Sequence, residues 1–509
     1  MLAGLLDAIT PMNLLFICLG TVTGVVVGAL PGLTATMGTA LLLPFTFVLP
    51  PVQGLAMLSA LYVASMFADS IPACLVNTPG TPSAMATALD GFPLTKQGKG
   101  QQAIVASAFS SFVGTTIGAL AFLFLAAPLT AIALTFGPPE FFWVGVFALT
   151  IIGSMAGKSL LKGLAGGAIG LMISMIGTGP GGEVRYTFGI SQLQGGISLA
   201  AALIGIFALP QVLNMVADRR QRPYVARYTR QPGVALQTVK QVAAKPLHLL
   251  RAGLIGAFVG ILPGAGSPVA SLVAYNETVR WSRDKSRFGK GALEGVTASE
   301  TAGNAAAGGA MVPLVALGVP GSAPAAVIMG ALLLQGMQPG PDLFSTNGSL
   351  VYAFAFSILI AGVTTYMLGS LMSRAIARMV SVPIRLLAPL ILFLSTVGAF
   401  AIRNHMFDVY MMLALGIGVW LLMKIGFHPG PIGLGVILGP IVEPALLQSL
   451  AIVESSSMPA VFLGSVTNIV LITLTVASLC WIIVSRRKDR KKDAADTTAD
   501  ESSGEKTPA

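Results

Sequence analysis

Long apolar blocks restrict the fold of this chain more than any other feature of its sequence. Four of them hold about 17 or more residues each, enough to cross the roughly 30 Å hydrocarbon core of a bilayer as a helix. They occupy residues 101–135, 348–373, 386–402 and 456–484. A transmembrane β-barrel would show short segments of alternating hydrophobicity instead. We therefore predict an all-α polytopic membrane protein with roughly ten to twelve membrane segments.

The composition excludes an ordinary soluble domain. Of the 509 residues, 54% are hydrophobic and 10% are charged, whereas soluble domains carry about 25% charged residues. The three cysteines lie in apolar surroundings, which is typical of small buried residues and not of a disulfide or metal framework. Because residues 1–12 contain no Lys or Arg, we expect no cleavable signal peptide.

The positive charges are confined to short connections and a tail. The formal net charge is +10, but basic clusters beside apolar spans are typical of the cytoplasmic side of a membrane and argue against nucleic-acid binding. The three clusters lie within residues 219–230, 280–290 and 486–492. Residues 493–509 are polar and contain no aromatic residue, so we expect a disordered end to a cytoplasmic tail.

Several motifs recur in the same order in two halves of the chain. Gly28–Leu33 is matched by Gly260–Ala265, and Pro79-Gly80 is matched by Pro320-Gly321. Two further matches, 139–153 with 383–398 and 195–198 with 430–433, keep this order. The predicted organisation is an extracytoplasmic N-terminus (1–12), a first transmembrane repeat (13–216), a basic cytoplasmic linker (217–248), a second transmembrane repeat (249–450), an additional transmembrane helix (456–485) and a basic, then disordered tail (486–509).

The connections of the two halves carry opposite charge bias. Residues 1–95, which include the first Leu-Pro-Gly hairpin, contain no Lys or Arg. The equivalent hairpin of the second half, about 249–279, is flanked by basic clusters. Lys96 and Lys99 have no cationic counterpart near residues 339–342. Basic connections favour the cytoplasm, so this pattern predicts inverted-topology repeats, which are common in secondary transporters. The alternative is an old duplication without a mechanistic role.

Four Pro-Gly pairs interrupt apolar segments. Proline removes a backbone donor and glycine relaxes the φ restriction, so helices break there. A helix that begins at membrane depth directs free N–H groups and a positive dipole end into a cavity, which attracts a carboxylate without a buried Arg. The alternative is that the pairs mark turns at the membrane surface. The predicted substrate-binding residues are Pro31, Gly32, Thr34, Thr36, Asn77, Thr78, Pro79, Gly80, Thr81, Pro263, Gly264, Gly266, Ser267, Asn304, Pro320, Gly321 and Ser322.

Two acids stand within apolar segments, Asp69 and Glu300. An acid in hydrocarbon is costly and usually faces a cavity, a partner or an ion. Asn304 shares the Glu300 face of a helix because the two are four residues apart. We expect these three residues to couple transport to Na⁺ or protons, with Na⁺ as the only metal and no organic cofactor. The alternative that both acids lie at the membrane interface stays open, since Glu300 follows the basic loop ending at Lys290 closely.

The sequence predicts no enzyme. Gly157-Lys158-Ser159 is not a nucleotide-binding loop, because Ile152 stands where that motif requires its first glycine. The chain has three histidines, none beside a Gly-x-Ser-x-Gly nucleophile elbow. A membrane-embedded enzyme would need paired aspartates, a Ser–His pair or a metal-ligand cluster in its spans, and we find none in the sequence.

Three glycine-rich motifs carry a family resemblance that extends to about residue 485. They are the run Gly20–Leu33, the segment Gly260–Gly266, and the stretch from Gly318-Val-Pro-Gly-Ser to Gln335-Gly-Met-Gln-Pro-Gly. Together they resemble the large membrane subunit of the tripartite tricarboxylate transporter family, a TctA-type permease. The resemblance implies ion-driven import of citrate-like tricarboxylates, or of dicarboxylates or aromatic acids, across the bacterial inner membrane.

The resemblance also implies two partner proteins. One is a small four-helix membrane subunit of the TctB type, and the other is an extracytoplasmic solute-binding protein of the TctC type that delivers the substrate. A channel, or a scaffold subunit without coupled transport, is the alternative function. Saturable, gradient-coupled flux would distinguish a transporter from either.

Overall fold

The computed structural model is almost entirely helical. It describes residues 1–30, 32–78, 81–155, 159–217, 231–371, 379, 382 and 384–480. Most of the basic linker cluster, the C-terminal tail, Pro31, Pro79 and Gly80 lie outside these residues. The only strands of the described chain, β1 (Gly177–Thr178) and β2 (Val184–Arg185), form a short antiparallel hairpin in which Gly177 pairs with Arg185.

The helices follow one another with short connections. The first half contains α1 (Leu2–Ala8), α2 (Pro11–Ala29), α3 (Ala35–Phe47), α4 (Pro51–Ala68), α5 (Ser70–Val76), α6 (Ala84–Lys96), α7 (Gly100–Ala133), α8 (Pro138–Met155), α9 (Leu160–Ser174), α10 (Leu199–Phe207) and α11 (Leu209–Ala217). Then come α12 (Val234–Ala243), α13 (Pro246–Ile261), α14 (Gly266–Trp281), α15 (Leu293–Gly309), α16 (Met311–Leu317), α17 (Ala323–Leu334), α18 (Pro341–Thr346) and α19 (Gly348–Leu371). The described chain ends with α20 (Ile384–Ala401), α21 (Met406–Lys424), α22 (Pro429–Val453), α23 (Met458–Leu463) and α24 (Val466–Cys480).

The length and apolarity of these helices confirm a polytopic membrane protein. Within the described residues, seven segments are long and apolar enough to span a bilayer, or eight if the bent pair α12 and α13, with its 75° bend, counts as one span. The seven are Pro11–Ala29, Pro51–Val76, Gly100–Ala133, Leu199–Ala217, Gly348–Leu371, Met406–Lys424 and Pro429–Val453. Six shorter apolar helices of 10–17 residues accompany them.

Helices α4 and α15 form the centre of the protein. The most apolar window of the α4–α5 segment is 100% buried, and every residue of α15 from Gly295 to Gly309 is buried. Helix α4 packs against α2, α3 and α19, and α15 packs against α13, α14 and α7. Each central helix therefore contacts a long helix of the other half, so the two halves share one core.

Small residues allow the central helices to approach their neighbours closely. A Cβ atom built at Gly24 of α2 would overlap the carbonyl oxygen of Leu61 in α4. In the second half, a Cβ atom at Gly256 of α13 would overlap the carbonyl oxygen of Ala302 in α15. Without a hydrophobic driving force between helices, such backbone contacts supply the packing energy of membrane helices. The same glycine-mediated packing thus recurs at matching positions of the two halves.

The two central helices also continue in the same way. After α4, one residue separates it from the seven-residue helix α5, which ends at Asn77 with a φ of 54°. After α15, one residue separates it from the seven-residue helix α16, which ends at Gly318 with a φ of 68°. Left-handed residues end helices in this way, and a Pro-Gly pair follows each. The order of elements agrees with the predicted repeat; the inverted orientation of the halves stays a prediction of the loop charges.

Candidate functional site

The two Pro-Gly breaks of the second half lie side by side. The break with Pro263 falls between α13 and α14, and the break with Pro320 falls between α16 and α17. The Gly264 N–H donates to the carbonyl oxygen of Gly321 over 3.0 Å. The φ of Gly264 is +78°, a conformation that glycine adopts without strain. The structure thus brings together two breaks that are far apart in sequence.

Two hydroxyls lie at these adjacent breaks at Pro263 and Pro320, which we call the paired break. Ser322 caps α17, its Oγ accepting from the Ala325 N–H over 3.4 Å. A Cβ atom at Gly266 would lie 3.6 Å from the Cβ of Ser322, so the start of α14 meets the start of α17. The Ser267 hydroxyl in that first turn of α14 is buried and has no hydrogen-bond partner among the described residues. It lies beside two helix starts.

A tyrosine of the first half closes the paired break. The Tyr62 hydroxyl in α4 lies 3.1 Å from the Ser322 hydroxyl and also has Ser267 beside it. The Tyr62 side chain is buried. Our sequence analysis missed this residue. The usable signal was a tyrosine inside an apolar segment. A buried tyrosine hydroxyl usually requires a polar partner.

The first break of the first half contacts α11. The carbonyl oxygen of Gly32 accepts from the Gln211 side-chain amide over 2.6 Å. Thr34 caps α3, its Oγ1 accepting from the Met37 N–H over 3.2 Å, while Thr36 is half-buried in the first turn of α3. Thr34 thus caps the helix that follows this break, and Gly32 contacts α11.

The second break of the first half is linked to a buried acid. Thr81 donates a hydrogen bond to Asp69, and Ser83 donates to the same carboxylate oxygen over 3.3 Å. Asn77 and Thr78, by contrast, are exposed. Asn77 and Thr78 therefore lie on the exposed side of this break, and Asp69 with its two hydroxyl donors lies on the buried side.

Glu300 of the second half lies in a cage of hydroxyls contributed by the first half. Its Oε1 accepts from the Thr87 hydroxyl of α6 over 2.5 Å, and its Oε2 accepts from the Ser111 hydroxyl of α7 over 3.0 Å. The Asn304 amide donates to Ser111 and to the Glu300 carbonyl oxygen, each over 3.0 Å. The Asn304 Oδ1 atom is buried without a partner in the described chain. Because Glu300 is 4% exposed, it is not a residue of the protein surface.

Asp69 is connected to this cage. It lies at the junction of α4 and α5 and is 1% exposed. The next residue, Ser70, shares a 2.6 Å hydrogen bond with Ser107 of α7, and Ser107 lies beside the Glu300 carboxylate. The two carboxylates are close enough for their charges to interact. The structure thus brings together all three predicted coupling residues, Asp69, Glu300 and Asn304.

The two buried acids have no cationic partner within the part of the chain that the structure describes. No Lys or Arg of the described residues forms an ion pair with Asp69 or Glu300. An ionised carboxylate that leaves water without a counter-charge costs several kcal/mol, and hydroxyl donors satisfy its lone pairs without supplying that charge. The arrangement can therefore hold a proton or a small cation.

The hydroxyls of this cage were also missed by our sequence analysis. Ser107 and Ser111 are four residues apart on the long apolar helix α7, so they share one face. That spacing was a usable signal, but only packing against α15 distinguishes it from hydroxyls that bond to their own helix.

Comparison with known proteins agrees with this architecture. The family described as the tripartite tricarboxylate transporter TctA family matches residues 14–434. A relative from Agrobacterium vitis, described as an uncharacterized 52.8 kDa protein in the TAR-I ttuC′ 3′ region, is 32% identical over 483 residues, 95% of each chain. A second relative from that organism, described as an uncharacterized protein in the TAR-II ttuC′ 3′ region, is 34% identical over 230 residues, 45% of this chain and 93% of the relative. No solved structure matches the chain. The chain belongs to the tripartite tricarboxylate transporter TctA family and is a membrane component of such a transporter.

Proposed function

We propose that this chain is the large permease subunit of a binding-protein-dependent secondary transporter that imports citrate-like tricarboxylates or related carboxylates on a Na⁺ or proton gradient. Its proposed partners are a small four-helix subunit of the TctB type and an extracytoplasmic solute-binding protein of the TctC type. Its proposed setting is the bacterial inner membrane, with the N-terminus outside and the C-terminus in the cytoplasm. Coupling uses an ion and no organic cofactor, and a transport component needs no catalytic group.

The observation that carries this proposal is the buried Glu300 carboxylate, which has no cationic partner among the described residues. Thr87 and Ser111 donate to it, and Asn304, one helical turn away, has an oxygen without a partner in the same part of the chain. A proton or Na⁺ supplies the missing charge when it binds, and its departure leaves a costly buried anion. The charge of Glu300 acts on Asp69, so an ion that neutralises one acid favours ionisation of the other.

The paired break of the second half supplies the features that a carboxylate needs. The positive dipole end at the start of α17 attracts an anion. The hydroxyls of Tyr62, Ser267 and Ser322 lie around this start. Carboxylate binding at this place requires no buried Lys or Arg.

The shared core supports alternating access. Helix α7 of the first half packs against α15, which carries Glu300, while α19 of the second half packs against α4, which carries Tyr62. A movement of one half relative to the other therefore changes the surroundings of both sites together. Rocking of one repeat against the other is the usual transport movement of such proteins.

Transport by the purified system tests this proposal. The chain and both proposed partners are reconstituted, with citrate-loaded binding protein outside the proteoliposomes, and an inward Na⁺ or proton gradient is imposed. We expect radiolabelled citrate to accumulate above its external concentration under one of the two gradients. An ionophore that dissipates the effective gradient should abolish the accumulation.

The controls separate a transporter from the alternatives. Vesicles without the binding protein should take up citrate much more slowly. Uptake that only equilibrates citrate, at a rate independent of both gradients, would indicate a channel. If citrate fails, a panel of dicarboxylates and aromatic acids under the same gradients distinguishes a different substrate from a loss of coupling.

A further inference from the structure

Asp90 is a completely buried carboxylate that the proposed coupling scheme does not use. It lies in α6 and is 0% exposed. Its Oδ1 accepts from the backbone N–H groups of Gly291 and Ala292, each over 2.8 Å, and its Oδ2 accepts from the Tyr275 hydroxyl over 2.9 Å. Three donors with good geometry satisfy this carboxylate. The residues that supply them show the structural role of Asp90.

The two backbone donors identify Asp90 as a cap. Gly291 and Ala292 directly precede Leu293, the first residue of α15, and Ala292 has no capping side chain of its own. The first N–H groups of a helix lack partners within the helix, and a negative charge beside them interacts favourably with the helix dipole. Asp90 therefore caps the central helix of the second half from a helix of the first half.

Helices α6 and α15 are in close contact beside Asp90. A Cβ atom at Gly295 would overlap the Asp90 carboxylate, so α15 approaches α6 where it has no side chain. Beyond Asp90, the Gln97 amide at the end of α6 donates to the Lys290 carbonyl oxygen over 2.7 Å. Helix α6 is thus fixed to the start of α15 at two points.

The same face of α6 reaches Glu300. Thr87, three residues before Asp90 and on the same side of the helix, donates to Glu300 over 2.5 Å and lies 2.9 Å from the Ser299 hydroxyl. We propose that Asp90 is a positioning residue: by anchoring the start of α15 to α6, it holds the Thr87 hydroxyl on Glu300 and sets the affinity of Glu300 for its ion. The ion in this inference rests on the proposed function, whereas the anchor rests on the contacts of Asp90, Thr87 and Gln97.

Two measurements on full-length Asp90→Ala and Thr87→Val test this inference. The first is the ion concentration that gives half-maximal uptake, compared with the substrate KM. Both variants should tighten the apparent affinity for the coupling ion about tenfold, because the ion-free carboxylate loses one hydrogen bond that stabilises its charge, with the substrate KM nearly unchanged. The double variant should shift the ion affinity no further than Thr87→Val alone, because both changes act through one hydroxyl.

The second measurement does not depend on transport. An apolar carbodiimide reacts with a protonated carboxyl, and mass spectrometry gives its labelling rate at Glu300 at one fixed pH in detergent. Losing the Thr87 donor destabilises the ionised carboxylate, so labelling should be faster in Asp90→Ala and Thr87→Val. The matched control is Asp408→Ala, which removes a buried first-turn acid of α21, a helix that packs mainly against α10, α11 and α20; its labelling rate should equal that of the wild type.

Asp90→Asn keeps a carbonyl acceptor for the two backbone donors and should give intermediate values; it replaces Asp90→Ala if that variant does not fold. Equal labelling of all these proteins, including none in any of them, would overturn the inference. So would a folded Asp90→Ala variant with wild-type ion affinity and a lower maximal rate only. Wild-type uptake without any gradient dependence would instead refute the proposed function, and the labelling rates would still decide on Asp90.

Discussion

The hydroxyl of Tyr62 in the first half lies 3.1 Å from that of Ser322 in the second half. The bond joins the middle of the buried helix α4 to the residue that caps α17. Each half therefore contributes a residue that lines the proposed carboxylate site. A helix cap that bonds across the halves can change its partner when the halves move.

Tyr62→Phe should raise the substrate KM about tenfold. The change removes one hydroxyl that faces Ser322 and Ser267 and leaves their polar groups unpaired, at a cost of about 1–3 kcal/mol. KM for citrate uptake in proteoliposomes checks this expectation. The matched control is Tyr352→Phe, since the Tyr352 ring packs edge-on against Phe344 and is remote from the paired break. Equal KM values for wild type and Tyr62→Phe would exclude the hydroxyl from the substrate site.

Glu300→Gln should separate substrate exchange from gradient-driven accumulation. Glutamine keeps an oxygen acceptor for Thr87 or Ser111 but removes the charge that a proton or Na⁺ neutralises. We expect net accumulation to fall at least about tenfold while exchange of labelled for unlabelled citrate continues. Glu140→Gln is the control, because Glu140 is also buried but accepts from the Gly137 N–H at the start of α8. Accumulation by Glu300→Gln at the wild-type level would remove Glu300 from the coupling path.

Gly256→Ala should destabilise the protein by about 1–3 kcal/mol, the usual effect of overpacking. The added Cβ overlaps the Ala302 backbone, and backbone cannot rotate away as a side chain can. The loss appears as a lower melting temperature of the detergent-solubilised protein. Gly418→Ala is the matched control: Gly418 also lies within a helix, but no atom of a neighbouring segment lies within 4 Å of its added Cβ. Equal melting temperatures of the two variants would contradict the close contact of α13 and α15.

The sequence predicts the fold class well because each signal is local. Apolar length identifies the helices, and Pro-Gly pairs identify where they break. Asp69, Glu300 and Asn304 were also found locally, as polar residues in apolar segments. Tyr62 and Asp90 were not identified in this way, because their partners lie more than a hundred residues away in sequence. The identity of a tyrosine or aspartate does not indicate which distant residue it will contact. Capping rules refer to a residue next to its own helix, so they could not find a cap supplied by another helix.

Two adjacent serines of α7 give the sharpest test of the Glu300 cage. Ser111 donates to Glu300 and accepts from Asn304, whereas the hydroxyl of Ser110 is buried without a partner in the described residues. Ser111→Ala should tighten the apparent affinity for the coupling ion about tenfold, because the ion-free carboxylate loses a hydrogen bond that stabilises its charge. Ser110→Ala, the same change one residue away, should leave it within about twofold, since no hydrogen bond is lost.

Uptake measured against the concentration of the effective ion, at saturating citrate, gives both affinities. The two variants remove the same atom from the same apolar helix, so a general loss of stability would affect them alike. A difference confined to Ser111→Ala assigns the effect to the Glu300 carboxylate. If the two variants shifted ion affinity equally, the cage would be part of the packing between α7 and α15, and the coupling ion would have to bind elsewhere.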